Sequence, residues 1–480
     1  MALRTARIAL LAGLALAATP ALADDLREAL VLAYNTNPTL QAARAQQRAT
    51  DENVPIERAD GLPGLSASAT HTELLHESGS SGFTPDRQLQ ASLSLGVPIY
   101  SGGAVRNSVR AAETRVEAGQ ADLRATESAV FSRVVAAYMD VILAEAVAGL
   151  NRKNADVLEV NLRAATDRFE IGDLTRTDVA QSQARLAVAR GDTRSAESNL
   201  VAARENYIAT VGKPPVDLQA PPPLPGLPAS VQDAVAHALE HNPDLIAARE
   251  RSKASEFDIA VAGSTRLPRV EVFTSGSYSD YYGTLRSGAG TAPSQSSTGA
   301  TAGVRASIPL FQGGRPAALR RQAQARAAAT MENEIAIERD VIAQVRAAWS
   351  SWQAANEIIT SSQTAVDAAA LSLEGVRAEN SVGNRTILDI LDAERELLQT
   401  RVRLETARRN AYVAGFSLLA AMGRAEAQDL GLDGGALYDP DTNYKRVRGK
   451  IFDWENDPAP KAQSTRTVDT PAQDGSIPPR

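Results

Sequence analysis

A short stretch written twice constrains this chain more than any other feature: Val97-Pro98-Ile99-Tyr100-Ser101-Gly102-Gly103 and Ile308-Pro309-Leu310-Phe311-Gln312-Gly313-Gly314. Each copy marks a change of period. Upstream of the first, Leu89, Ala91, Leu93, Leu95, Val97 and Ile99 alternate with Gln88, Gln90, Ser92, Ser94 and Gly96. Upstream of the second, Ala300, Ala302, Val304, Ala306, Ile308 and Leu310 alternate with Thr301, Gly303, Arg305 and Ser307. Alternation with period two describes a strand with one apolar and one polar face. Roughly a dozen residues at ~3.3 Å each give about 40 Å of strand, enough to cross a bilayer at a tilt. A long helical pattern follows each copy. The proline is expected to end the strand ladder, and Gly102-Gly103 and Gly313-Gly314 to let the backbone turn into the helix.

The chain is a duplication. Asn37-Pro38 recurs as Asn242-Pro243 and Leu62-Pro63 as Leu267-Pro268, an offset of 205 residues. From the strand-to-helix stretch onward the offset is 211, pairing Val130, Val134 and Tyr138 with Val341, Val345 and Trp349, and Gly172 with Gly383. The organisation predicted is a leader at 1–23, a first repeat at 24–213, a proline-rich connector at 214–229, a second repeat at 230–427 and a polar, disordered tail at 428–480. Arg4 and Arg7 before the apolar run Ile8–Ala18, with Ala21-Leu22-Ala23 as cleavage site, read as a secretory signal too short to span a membrane.

Within each repeat the order is helix, two strands, long helix, turn, helix. The first helical pattern covers Leu26–Val54, and Pro55 should kink or end it; strands follow at Pro63–His76 and Arg87–Tyr100. Gly103–Arg168 contains no proline and makes a helix of about 100 Å at 1.5 Å per residue. Val130, Val134, Tyr138 and Val141 form a narrow packing stripe along it. Gly172 breaks the pattern before a helix at Thr175–Val211. The second repeat reads helix Val231–Ala262, strands Pro268–Tyr282 and Ser297–Phe311, helix Arg315–Glu379, a turn at Gly383 and helix Thr386–Met422.

Four long strands per chain cannot close a barrel, and an open edge does not survive in lipid, so the barrel must be shared between chains. Two chains give eight strands, whose interior fills with side chains; three give twelve and leave a lumen, which the polar strand faces require. The helices are too polar for lipid and must project as a hollow bundle into an aqueous compartment. With 4% aromatic residues the composition suits long, closely packed helices. A net charge of −7 argues against a nucleic-acid partner, and without cysteine there is neither a disulfide, a thiolate metal site nor a lipidated N-terminus. No cofactor is called for.

From Asp25 to Gly423 the residues resemble the TolC family of outer-membrane channel-tunnels. The resemblance rests on both Asn-Pro helices, on Leu-Pro before each first strand and on the Pro-hydrophobic-aromatic-x-Gly-Gly junction. Its most specific part is Ser381-Val382-Gly383-Asn384-Arg385-Thr386-Ile387-Leu388-Asp389-Ile390-Leu391-Asp392-Ala393. It implies an α+β membrane protein: a homotrimer with a twelve-stranded barrel in outer-membrane lipid, continued by a long α-helical tunnel in the periplasm. Such channels are exit ducts of tripartite drug-efflux pumps or type I secretion systems, docking to a periplasmic adaptor and an inner-membrane pump or ABC transporter.

Asp389 and Asp392 lie three apart and share one side of a helix. Thr386-x-x-Asp389 is a capping-box start, repeated as Thr175-x-x-Asp178, and an acid there is favoured by the helix dipole without any further role. Capping leaves Asp392 unexplained. By the resemblance, Asp389 and Asp392 form two stacked carboxylate rings at a periplasmic constriction. Arg385 and Asp178 match the charges that tie neighbouring hairpins together there, while Asn380 stands where the family has a tyrosine.

Tyr100 and Phe311 at the junctions, and Tyr278, Tyr281 and Tyr282 at the far end, suit interfacial aromatic girdles. His237-Ala238-Leu239-Glu240-His241 matches the inverted zinc-protease pattern, but Asn242-Pro243 disrupts that helix at once. The leading expectation is therefore an export channel with no catalytic residues. Its rival is a structural or adhesive periplasmic coiled-coil protein, which the four amphipathic strands oppose.

Overall fold

A computed structural model describes residues 25–76, 84–286, 293–432 and 437–477. The signal-peptide expectation at 1–23 and the centres of the two strand-connecting segments, 77–83 and 287–292, lie outside the described residues.

The first half contains α1 (Leu26–Thr36), α2 (Pro38–Asp51), α3 (Asn53–Ala59), β1 (Gly64–Glu73), β2 (Arg87–Tyr100), α4 (Ala104–Glu170) and α5 (Arg176–Val211). The second contains α6 (Val231–His241), α7 (Pro243–Ser264), β3 (Arg269–Asp280), β4 (Ser296–Ser307), α8 (Arg315–Ser381) and α9 (Ile387–Ala421), and α10 (Pro440–Val447) follows. The halves are built alike, and the Asn-Pro dipeptides show why. Asn37 accepts through its side-chain oxygen from the N–H groups of Thr39 (3.0 Å) and Leu40 (3.4 Å), capping α2, and donates to the Thr210 carbonyl near the end of α5 (2.9 Å). Asn242 does the same for α7 through Asp244 (3.0 Å) and Leu245 (3.2 Å), and donates to the Ala421 carbonyl at the end of α9 (2.9 Å). Proline at the first helical position loses no hydrogen bond. The single helix expected over Leu26–Val54 is thus broken at Asn37, and Pro55 sits inside α3 near its start.

The four strands form one antiparallel sheet in the order β1-β2-β3-β4. Its register sorts the side chains of the central rows. Leu65, Leu95, Thr274 and Ala302 lie in one row and Ala67, Leu93, Gly276 and Ala300 in another on the apolar face. Between them Ser66, Ser94, Ser275 and Thr301, then Ser68, Ser92, Ser277 and Gly299, make a hydroxyl-lined face. Cross-strand hydroxyl contacts of 2.8 Å join Ser66 to Ser94, Ser68 to Ser92 and Ser275 to Thr301. The outer edges of β1 and β4 have no strand partner among the described residues.

Two expectations at the junctions need correction. Pro98 does not end the ladder: it stays within β2 opposite Glu271, and a register shift between Pro98 and Tyr100 absorbs its missing N–H. β4 stops at Ser307, two residues before Pro309. Both glycine pairs turn through left-handed backbone, with φ of +66° and +80° at Gly102 and Gly103 and +59° and +81° at Gly313 and Gly314.

α4 is 67 residues long, as is α8. The stripe Val130, Val134, Tyr138 and Val141 is buried in a core where α1, α2, α4, α5 and the end of α9 meet, with Phe131, Tyr207 and Phe416. Each such side chain stabilises by about 1.5–3 kcal/mol on burial. Val341 and Val345 seat α6 on α8 in the second half. Parts of the tail pack back onto the body of the chain. The Arg44 guanidinium lies between the rings of Tyr34 (4.3 Å) and Tyr438 (4.9 Å), and the Asn443 amide donates to the buried Asp51 carboxylate (2.7 Å), holding α10 against α2. Among the described residues no helix is long and apolar enough to cross a membrane.

Candidate functional site at the helical tips

The helical hairpins α4/α5 and α8/α9 end in matching turns. Gly172 and Gly383 each take φ of +84°, reversing the chain within a few residues. Thr175 caps α5: the Asp178 carboxylate accepts from the Thr175 N–H (2.9 Å) and hydroxyl (2.8 Å), and the Asp178 N–H donates back to that hydroxyl (3.3 Å). At α9 the Asp389 carboxylate accepts from the Thr386 N–H (2.9 Å) and hydroxyl (2.8 Å). These bonds favour the ionised acids. The Thr386 hydroxyl and N–H hold Asp389 below the ordinary carboxylate value, with Arg385 adding to it, and the Thr175 N–H and hydroxyl do the same for Asp178.

Arg385 is engaged at its own tip. Its guanidinium donates to Glu379 (2.7 Å) and stands 3.7 Å from Asp389, and the Glu379 hydrogen bond raises its pKa. Within this chain, then, Arg385 and Asp178 do not meet. Asn380, at the tyrosine position of the family pattern, donates from its amide to the Arg385 carbonyl (2.7 Å) and closes the turn. At the tips the charge that crosses from one hairpin to the other is Asp392, which lies 2.8 Å from Arg185 on α5 and 3.4 Å from Arg395 on its own helix; farther from the tips Arg409 of α9 pairs with Asp140 of α4 (2.8 Å). Beneath it, Leu158, Leu186, Ala189 and Leu391 pack α4, α5 and α9 together. A second ion pair, Arg377 with the buried Glu394, binds α8 to α9. At the turns themselves Ile171 and Val382 are largely exposed.

The sequence reading missed Arg185 and Glu379. A signal was available in the comparison of the repeats: at the 211-residue offset Asp392 faces Gln181, Arg185 faces Glu396 and Arg385 faces Leu174. Positions where the copies differ carry the link between them.

The histidine pair is not arranged as metal ligands. The rings of His237 and His241 stack 4.1 Å apart at 9°, and the Arg424 guanidinium donates to His237 Nε2 (2.9 Å). Burial first, then Arg424 and His241, depress the His237 pKa.

The model of one protein family, outer membrane efflux protein, matches residues 29–213 and 234–424. The chain belongs to that family. It is 33% identical over 448 residues to the outer membrane efflux protein BepC of Brucella suis, covering 92% of this chain and 94% of that one. To the outer membrane protein TolC of Escherichia coli it is 27% identical over 433 residues, covering 88% and 87%. In fold it matches the outer membrane channel CmeC of Campylobacter jejuni with a TM-score of 0.72 at 17% identity, covering 88% of this chain and 89% of that one.

For an outer membrane efflux protein the open sheet edges have a physical reason. In this fold three chains share one twelve-stranded barrel, so the unpaired edges of β1 and β4 are where neighbouring chains can add strands. The long helices continue the channel into the periplasm.

Proposed function

We propose that the tips of α4/α5 and α8/α9 form the closable periplasmic end of a passive duct, with no chemistry of its own. Asp389 and Asp392 of three chains make two acidic rings there, and the Arg185–Asp392 pair holds the two hairpins of each chain together. One observation carries the reading: Asp392, which caps no helix, is bridged across hairpins to Arg185 at 2.8 Å. Within a chain the closing pair is thus Arg185–Asp392. Arg385 keeps Asp389 and the turn in place. The adaptor and transporter open the tip by pulling the hairpins apart.

The cargo is set by those partners. Relatives matched over more than four-fifths of this chain bear names for alkaline protease secretion (AprF of Pseudomonas aeruginosa) and for cobalt-zinc-cadmium resistance (CzcC of Cupriavidus metallidurans). The shared duct therefore accommodates solutes of very different kinds, and selectivity arises where cargo is loaded.

Single-channel recording in planar bilayers tests the acidic rings. Converging carboxylates attract cations, so the resting pore should be cation-selective and blocked by divalent cations. Asp389→Ala with Asp392→Ala should weaken both properties. Unchanged selectivity and block would place the constriction elsewhere. Absence of any conductance in the native trimer would favour the structural coiled-coil reading.

A further inference from the structure

The last described residues form a peptide–groove complex within the chain. From Thr465, whose hydroxyl lies 2.8 Å from where a Cβ on Gly212 would stand, the tail descends α5 as far as Ile477, which packs on Ala148, Ala196 and Leu200. Counted along α5 from residue 212 to 196, that is about 24 Å at 1.5 Å per residue. Arg204 of α5 is buried, 8% exposed, an expensive place for a guanidinium unless every donor is used. One of its nitrogens donates to the Glu145 carboxylate of α4 (2.8 Å). The other donates to two main-chain carbonyls of the tail, Asp474 (2.8 Å) and Ser476 (2.9 Å). Between those two, the Gly475 carbonyl accepts from Arg152 (3.5 Å), whose guanidinium also pairs with Glu197 (2.8 Å). The Gln473 N–H donates to Glu205 (2.9 Å).

The fit is specific. A Cβ on Gly475 would stand 2.8 Å from Glu197 Cβ and 3.2 Å from its carbonyl oxygen, so only glycine lets the tail lie flush on α5. Two residues later an aliphatic side chain enters a niche of small residues, with Gly149 beneath its end. Backbone carbonyls read by an arginine, a glycine at the close approach and an apolar anchor together make a binding site for an extended peptide.

We propose that the α4/α5 groove around Arg204 is a peptide-binding site and that Gln473–Ile477 is its ligand, a C-terminal strap. The strap ties α10 and the layer it packs on to the middle of the first hairpin. With the strap away, Arg204 keeps only Glu145 of these partners, and the Ala148–Leu200 niche opens to water. The second hairpin carries no such strap among the described residues.

Hydrogen exchange of the Gln473 amide in the intact trimer reads the strap's opening, because exchange tracks the population of the detached tail. Gly475→Val should raise that rate by at least about tenfold. Gly449→Val, at a position with open space around it, is the control and should leave it unchanged. Arg204→Lys should also speed exchange, because an ammonium lacks the fork that serves Glu145 and two carbonyls together. Equal exchange rates for Gly475→Val and Gly449→Val, or an unprotected Gln473 amide in the native protein, would overturn the proposal.

Discussion

Arg185→Ser should shift the channel toward its open state, and the size of the shift follows from the exposure of the pair. The side chains of Arg185 and Asp392 are 36% and 53% exposed, so the link is a solvent-screened one. Such pairs contribute about 0.2–1 kcal/mol each. A trimer holds three, and a concerted opening breaks all of them, for about 0.6–3 kcal/mol in total. At 1.4 kcal/mol per factor of ten, the ratio of open to closed channels should rise by about three-fold to about 150-fold. Single-channel recording at ~0.1 M salt gives that ratio directly, since the Debye length is then about 10 Å and the pair is not swamped. Raising salt to ~1 M should bring native and variant channels together. Two controls isolate the cause. Arg395→Ser removes only the same-helix contact at 3.4 Å and should change little. Exchanging the charges, Arg185→Asp with Asp392→Arg, should restore the native ratio. An unaltered open probability in Arg185→Ser at low salt, or an equal effect from Arg395→Ser, would refute the assignment of Arg185–Asp392 as the closing link.

The caps and the acids give two further expectations. Asn37→Ala and Asn242→Ala each remove a helix cap and a tie to the returning helix; each should cost about 1–2 kcal/mol in chemical denaturation, by similar amounts because the two sites are built alike. Asp178 and Asp389 have depressed pKa values in the folded state, so their capping stabilises the tips fully above the ordinary carboxylate value near ~3.9 and is lost as pH falls through the lower folded values. Hydrogen exchange should therefore show the N-terminal turns of α5 and α9 losing protection below about pH 4, with Asp389→Asn removing the pH dependence at α9 alone.

Much of this molecule is written in neighbouring residues. The alternation through Leu89–Val97 and Ala300–Ile308 dictates strands, the residues after Gly103 and Gly314 dictate helices of great length, and Thr175-x-x-Asp178 and Thr386-x-x-Asp389 dictate where helices restart. These are properties of period, of permitted φ and of side chains reaching their own backbone, so a few residues suffice to determine them. Four strands with two unpaired edges then require partner chains without any structure in hand. Other features were decided only by distant contacts. Pro98 remains in a strand because β3 continues to pair beyond it. The tail looked too polar to pack on anything, yet parts of it are held by Arg44, Asp51 and Arg204, residues hundreds of positions away. Asp392 finds Arg185 across 207 residues of sequence, while Arg385, the charge expected to cross, is held by Glu379 six residues before it. A charged side chain on a solvated helix face has no local preference among its partners. Which one it meets depends on how the two hairpins pack, and that is settled by Leu158, Leu186 and Leu391 beneath it.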